Sequence, residues 1–243
     1  MGSNGVQWVL GGPAGPPGCT WGGCRPPTPR QPARAGLVVL QEIFGVNAHI
    51  RGVADRLALP GYEVVAPALF DRVAPDTELG YGPEDLKRGI ELKGQVPDDE
   101  ALTYVAAAVD RLRARHGAAF PVGVVGFCWG GSLAYLAAAK LSIDAAVSYY
   151  GGQVPKYLDE GIKPVAPLLV HLGGRDGHIP AGPTADKLRV AAPGAEIYVH
   201  PQAGHGFNCE ARPDYRPEEA RYAMEVTLRF LDRRLSGPRR PPI

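Results

Sequence analysis

The sequence predicts an α/β fold: a mostly parallel central sheet with helices on both faces. From Gly36 onward, six short apolar runs alternate with longer amphipathic segments, and that alternation builds strand–helix–strand units. The apolar runs are continuous and lack a period of two, as strands buried on both faces require. A third observation is the glycine-rich segment Gly126-Phe127-Cys128-Trp129-Gly130-Gly131. It lies between a strand and a helix, at the carboxyl edge where ligands of such sheets bind.

Residues 1–35 stand apart, because fifteen of the thirty-five are Gly or Pro, which is loop or disorder chemistry. Within this arm only Val6–Leu10 has strand character, and so short a strand needs a sheet edge to be stable. Cys19 and Cys24 read as incidental thiols. Leu37–Leu40 is the first core strand, and a helical segment from Asn47 to Leu59 stops at Pro60-Gly61. Tyr62–Ala66 is the second strand. An irregular stretch from Pro67 to Pro83 leads to a short helix over Glu84–Lys93.

Pro97-Asp98 opens a longer helix, in which Leu102, Val105, Ala106, Val109 and Leu112 recur at helical spacing and Gly117 supplies the stop. Val122–Phe127 is the third strand and Gly130–Leu141 the helix after it. Ala145–Tyr150, Leu168–Leu172 and Glu196–His200 follow as strands, with a helix over Ala185–Ala192. Pro217 starts the last helix, whose Met224, Leu228, Leu231 and Leu235 form one apolar stripe. The organisation is therefore an arm (1–35), one α/β domain (36–236) and a short tail (237–243).

The chain has 243 residues, 45% hydrophobic and 21% charged, which suits one large globular domain. Lys and Arg number 26 against 25 Asp and Glu, with no basic run, so no nucleic-acid partner is expected. No stretch approaches the ~20 apolar residues that span a bilayer. Four scattered cysteines fit reduced thiols in a cytoplasm and not a disulfide scaffold.

Gly126-Phe127-Cys128-Trp129-Gly130 has the Gly-x-nucleophile-x-Gly form of a nucleophile elbow, with Cys in place of the commoner Ser. The turn projects the sulfur above the sheet at a helix N-terminus, which favours thiolate. It also leaves the Trp129 N–H free for a developing oxyanion. Asp176, in Gly173-Gly174-Arg175-Asp176, follows the fifth strand, and His205, in Ala203-Gly204-His205-Gly206-Phe207, follows the sixth. This is the order nucleophile, acid, histidine. Asp176 orients His205, and His205 exchanges protons with the sulfur or the leaving group. Gln41-Glu42-Ile43-Phe44-Gly45 ends the first strand, adding a carboxylate to the same edge and, in the Ile43 N–H, a second oxyanion donor. The plainer reading of Glu42 is a surface residue paired with Arg51 or Arg56.

Taken together, Gln-Glu-Ile-Phe-Gly-Val-Asn, Gly-Phe-Cys-Trp-Gly-Gly, Gly-Gly-Arg-Asp and Ala-Gly-His-Gly-Phe resemble the dienelactone hydrolase (carboxymethylenebutenolidase) family. The resemblance runs from about Gly36 to Leu235. It implies an α/β-hydrolase fold and a Cys128, His205, Asp176 triad acting on a cyclic enol lactone through a thioester. It further implies that Glu42 helps generate the thiolate when substrate arrives, with no metal or organic cofactor required.

Two positions depart from the family pattern. Cys209 stands where an arginine for the substrate carboxylate is expected, and Gly206 stands where serine is commoner. Arg72, Lys87, Arg88 and Arg212 are the candidates to supply the cation, since planar carboxylates favour Arg. Tyr81, Trp129, Tyr150 and Phe207 are candidate apolar walls. A general small esterase or thioesterase on the same triad is the nearest rival function, and a non-catalytic small-molecule binder of the same fold is the rival from another class.

Overall fold

The computed structural model describes residues 8–11 and 33–237. The remaining arm residues, with Cys19 and Cys24, and the tail from 238 lie outside the described residues, and with them the expectations made for those segments. In chain order the elements are β1 (Trp8–Gly11), β2 (Ala35–Leu40), α1 (Ala48–Ala58), β3 (Tyr62–Pro67), α2 (Pro83–Gln95), α3 (Asp98–His116), β4 (Val122–Phe127) and α4 (Trp129–Lys140). There follow β5 (Ala145–Tyr149), α5 (Val154–Asp159), β6 (Leu168–Gly173), α6 (Ala181–Ala191), β7 (Glu196–His200) and α7 (Pro217–Leu235).

The strands form one sheet in the order β1-β3-β2-β4-β5-β6-β7. Every neighbouring pair is parallel except β1 with β3. The six core strands are those expected from their apolar runs, and helices cover the sheet as in an α/β hydrolase. Trp8–Gly11 takes the sheet edge that so short a strand requires, pairing Trp8 with Pro67 and Gly11 with Val64. Among the described residues no helix is long and apolar enough to cross a membrane.

The strand order places the site. After β2 the chain crosses to β3 on one side, then returns as β4 on the other side of β2. Connections therefore diverge between the carboxyl ends of β2 and β4, leaving the crevice in which open α/β sheets bind ligands. Glu42 and Ile43 follow β2 at that point and Cys128 follows β4. Gln41 ties the two ends together: its carbonyl accepts from the Gly130 N–H at 3.0 Å, and its Oε1 accepts from the Leu69 N–H after β3 at 3.1 Å.

Two elements differ from expectation. Helix α5 is missing from the sequence reading because its six residues are too short to show a period. The buried face of α7 is also rotated, comprising Ala220, Ala223, Val226, Thr227, Phe230, Leu231 and Leu235, with Met224 and Leu228 only half-buried. The cause is Thr227, a polar residue whose hydroxyl is satisfied inside the core by Tyr149 Oη at 2.7 Å and His171 Nε2 at 3.1 Å. The same chain continues through His171 Nδ1 and His200 Nε2, 3.0 Å apart, to Glu219, which lies 2.8 Å from His200 Nδ1. It crosses β5, β6, β7 and α7 beneath the site, and a hydrophobicity pattern is blind to it.

Candidate active site

The elbow is dictated by close backbone contacts. A Cβ on residue 126 would lie 1.9 Å from the Gly130 carbonyl oxygen, and one on residue 130 would lie 2.5 Å from both the Leu40 and Gln41 oxygens. Only glycine fits at either position. Between them Cys128 is held at φ 54°, ψ −115°, a backbone region that side chains avoid and that strained functional turns occupy. Its sulfur is thereby presented at the start of α4, whose N-terminal partial charge attracts anions.

His205 Nε2 lies 3.1 Å from Cys128 Sγ, and His205 Nδ1 donates to Asp176 Oδ2 at 2.8 Å. Asp176 Oδ1 accepts from the His178 and Ile179 N–H groups at 2.8 and 3.1 Å, so the carboxylate cannot rotate. Burial pushes the Asp176 carboxyl up, but the His205 and backbone hydrogen bonds outweigh it and hold it below its ordinary value. For His205, burial pushes downward, yet the Asp176 carboxylate and the Cys128 sulfur together raise it to about 10.

Glu42 is fully buried and not on the surface. Its Oε1 meets Arg212 Nη1 at 3.5 Å, while Arg51 pairs with Glu78 and Arg56 with Glu210. Cys128 Sγ makes its hydrogen bond to His205 and none to Glu42. The N–H groups of Ile43 and Trp129 have no backbone acceptor among the described residues. Trp129 is fixed by stacking on Phe70, centroids 5.4 Å apart, and by donating from Nε1 to Asp98 Oδ1 at 2.9 Å.

Of the candidate cations, Arg212 is the one that meets the buried carboxylate. Its guanidinium carbon sits 5.9 Å from the ring centroids of both Phe44 and Tyr81. Arg72 and Arg88 are engaged with other carboxylates: Arg72 grips Glu100 in a two-pronged pair at 2.5 and 2.7 Å, and Arg88 pairs with Glu91 at 3.3 Å. Both pairs lie on exposed side chains, where the local carboxylate is the nearer partner. Tyr81 stands beside the site, half-exposed, with its hydroxyl accepting from Asn47 Nδ2 at 3.1 Å.

Phe207 is fully buried and packs against His200 at 4.7 Å and Tyr150 at 5.5 Å, beneath the His205 loop. Tyr150, at φ 38°, turns its ring to His205 at 5.3 Å. The sequence reading passed over His49, buried in the first turn of α1, whose Nδ1 donates to Glu210 Oε2 at 2.8 Å. Burial pushes His49 down, but the Cys209 sulfur and the Glu210 carboxylate beside it raise it to about 9. Its sequence signal is slight: it lies in the first turn of the helix that follows the β2 loop.

A family model described as the dienelactone hydrolase family matches residues 25–235. The chain belongs to the dienelactone hydrolase family. Membership makes it a carboxylic ester hydrolase with the α/β-hydrolase fold. It is 36% identical to the carboxymethylenebutenolidase of Pseudomonas putida, over 80% of this chain and 84% of the relative. It is 34% identical to a Synechocystis protein assigned as a carboxymethylenebutenolidase, over 82% of this chain and 86% of that one. A crystal structure from Klebsiella pneumoniae, assigned as a dienelactone hydrolase, superposes with a TM-score of 0.70 at 34% identity, covering 85% of this chain and 89% of the other.

Proposed function

We propose that the chain is a cysteine-nucleophile hydrolase that opens a small cyclic enol lactone, or a related ester, through a thioester on Cys128. The supporting observation is the continuous relay from Cys128 Sγ through His205 to Asp176, at 3.1 and 2.8 Å, set on an elbow that only glycines permit. A lactone carrying a carboxylate draws Arg212 away from Glu42. Glu42, buried beside the site and now without its cation, is the group to which this mechanism assigns the thiol proton. It takes the thiol proton after the sulfur turns toward it, a rotation about one bond. The thiolate turns back to the His205 imidazolium and attacks the lactone carbonyl.

The Ile43 and Trp129 N–H groups hold the tetrahedral oxyanion. Collapse breaks the ring C–O bond and releases an enolate, which His205 protonates. With the sulfur now in a thioester, His205 has lost the negative charge that held its proton, and the neutral ring accepts a proton from water. Hydroxide cleaves the thioester, thiolate leaves, and Glu42 returns its proton to sulfur. In this reading Arg212 takes the part of the arginine that Cys209 replaces.

The experiment is steady-state hydrolysis of a dienelactone beside a p-nitrophenyl ester, in wild type and Cys128→Ala. Lactone turnover that disappears in the variant is the expected result. Ester turnover alone moves the assignment to a general esterase, and unchanged rates in Cys128→Ala overturn the nucleophile.

A further inference from the structure

Beside the relay, three ligand-bearing residues converge in the protein interior. Glu42 follows β2, His49 lies in the first turn of α1 and Cys209 lies in the loop after β7. All three are buried, and their ligand atoms lie within 4.8 Å of one another. Glu42 Oε2 and His49 Nε2 are buried with no hydrogen-bond partner, although each belongs to a residue at most 4% exposed. Buried polar atoms are normally satisfied, so two such atoms facing a thiol mark a place built for something that accepts electron pairs.

The surroundings favour a cation. His49 Nδ1–H is committed to Glu210 at 2.8 Å, so a metal that displaces the Nε2 proton meets that nitrogen as its ligand, the carboxylate–histidine arrangement of metal sites. One thiolate, one imidazole and one carboxylate form a mixed S/N/O set. Such a set suits zinc, whereas magnesium and calcium need oxygen ligands throughout. Tetrahedral zinc sets its ligand atoms roughly 3.5 Å apart, a contraction of about 1.3 Å at most from the observed spread of 4.8 Å. Thiolate and carboxylate together balance the dication's charge.

We propose that Glu42, His49 and Cys209 form a binding site for zinc or a cation like it, with a fourth position open to water. Resting on the catalytic reading above, occupancy switches hydrolysis off, because the metal holds the Glu42 carboxylate and repels Arg212 from it. The arginine-to-cysteine departure at position 209 then supplies the ligand that makes the site.

The test titrates the full-length, reduced, metal-free chain with cobalt(II), then displaces it with zinc(II). The wild type is expected to bind one equivalent with a thiolate-to-cobalt charge-transfer band. The band is expected to persist in Cys128→Ser and in the Cys19→Ser/Cys24→Ser double variant. It is expected to vanish in Cys209→Ser, with at least a hundredfold loss of affinity, and to weaken in His49→Gln. A wild-type titration without the band overturns the proposal, however well the variants fold. So does a band that survives Cys209→Ser or is lost in Cys128→Ser, which would put the metal on the relay. A chain that binds cobalt through Cys209 yet hydrolyses no ester supports this site while sinking the catalytic reading.

Discussion

Arg212 lies across Gly206. A Cβ on residue 206 would stand 2.7 Å from the guanidinium carbon of Arg212, and the glycine sits at φ 78°. In the proposed reading the two departures near His205 are linked: the absence of a side chain at 206 leaves room for Arg212 over that glycine, from where it meets Glu42 and takes the part expected of an arginine at 209. Gly206→Ser is expected to push Arg212 aside, and Arg212→Ala to remove it. A hydrogen bond to a charged group contributes about 1.5–3 kcal/mol, so Arg212→Ala should raise KM for a carboxylate-bearing lactone by roughly 10- to 100-fold. KM for a neutral p-nitrophenyl ester should stay within about twofold, and an equal rise for both substrates would contradict carboxylate binding by Arg212.

In the proposed mechanism Asp176 acts only through His205, which it meets at 2.8 Å. Its second oxygen is occupied by two backbone N–H groups, so Asp176→Asn keeps the shape of the turn but presents the wrong partner to His205 Nδ1. The expected loss in kcat is roughly a thousandfold or more. KM should change little. Native circular dichroism with activity near wild type would show that His205 needs no carboxylate here.

The strands and the relay were legible in the sequence because each depends on local chemistry. A buried parallel strand must be a continuous apolar run, and an elbow must have glycine at 126 and 130. The order of Cys128, Asp176 and His205 along the chain then follows from the strand ends. Long-range pairings were illegible: nothing local ties Arg212 to Glu42, 170 residues apart, or His49 to Glu210, 161 apart. Arg72 and Arg88 looked equally suitable because a sequence shows charge but not the local carboxylate that neutralises it. Thr227 misled for the opposite reason, since a buried hydroxyl with two partners behaves as core.

Two glycines test how far the elbow's geometry governs stability. Gly130→Ala places a methyl 2.5 Å from two backbone oxygens, contacts that cannot relax without parting β2 from α4. The expected destabilisation exceeds about 4 kcal/mol, in the range reserved for backbone clashes in the core. Gly94→Ala, in α2 with nothing within 4 Å, should instead stabilise by about 0.5–1 kcal/mol. Urea unfolding of both variants measures the contrast, and a mild effect of Gly130→Ala would show that the turn is looser than described.

His205 and His171 pull the pH dependence of stability in opposite directions. His205 is raised from 6.5 to about 10 in the folded chain, so its stabilisation is complete below the unfolded value and is lost as pH climbs through about 10. His171 is fully buried, and desolvation, aided by His200, holds it well below 6.5. Its contribution is present above the unfolded value and is lost as pH falls beneath it, because the unfolded chain then binds a proton that the core refuses. The thermal midpoint should therefore be highest near neutral pH and decline on both sides. His205→Gln is expected to flatten the alkaline decline and leave the acid one intact. An alkaline limb unchanged in His205→Gln would mean that the imidazolium at the relay contributes nothing to folding.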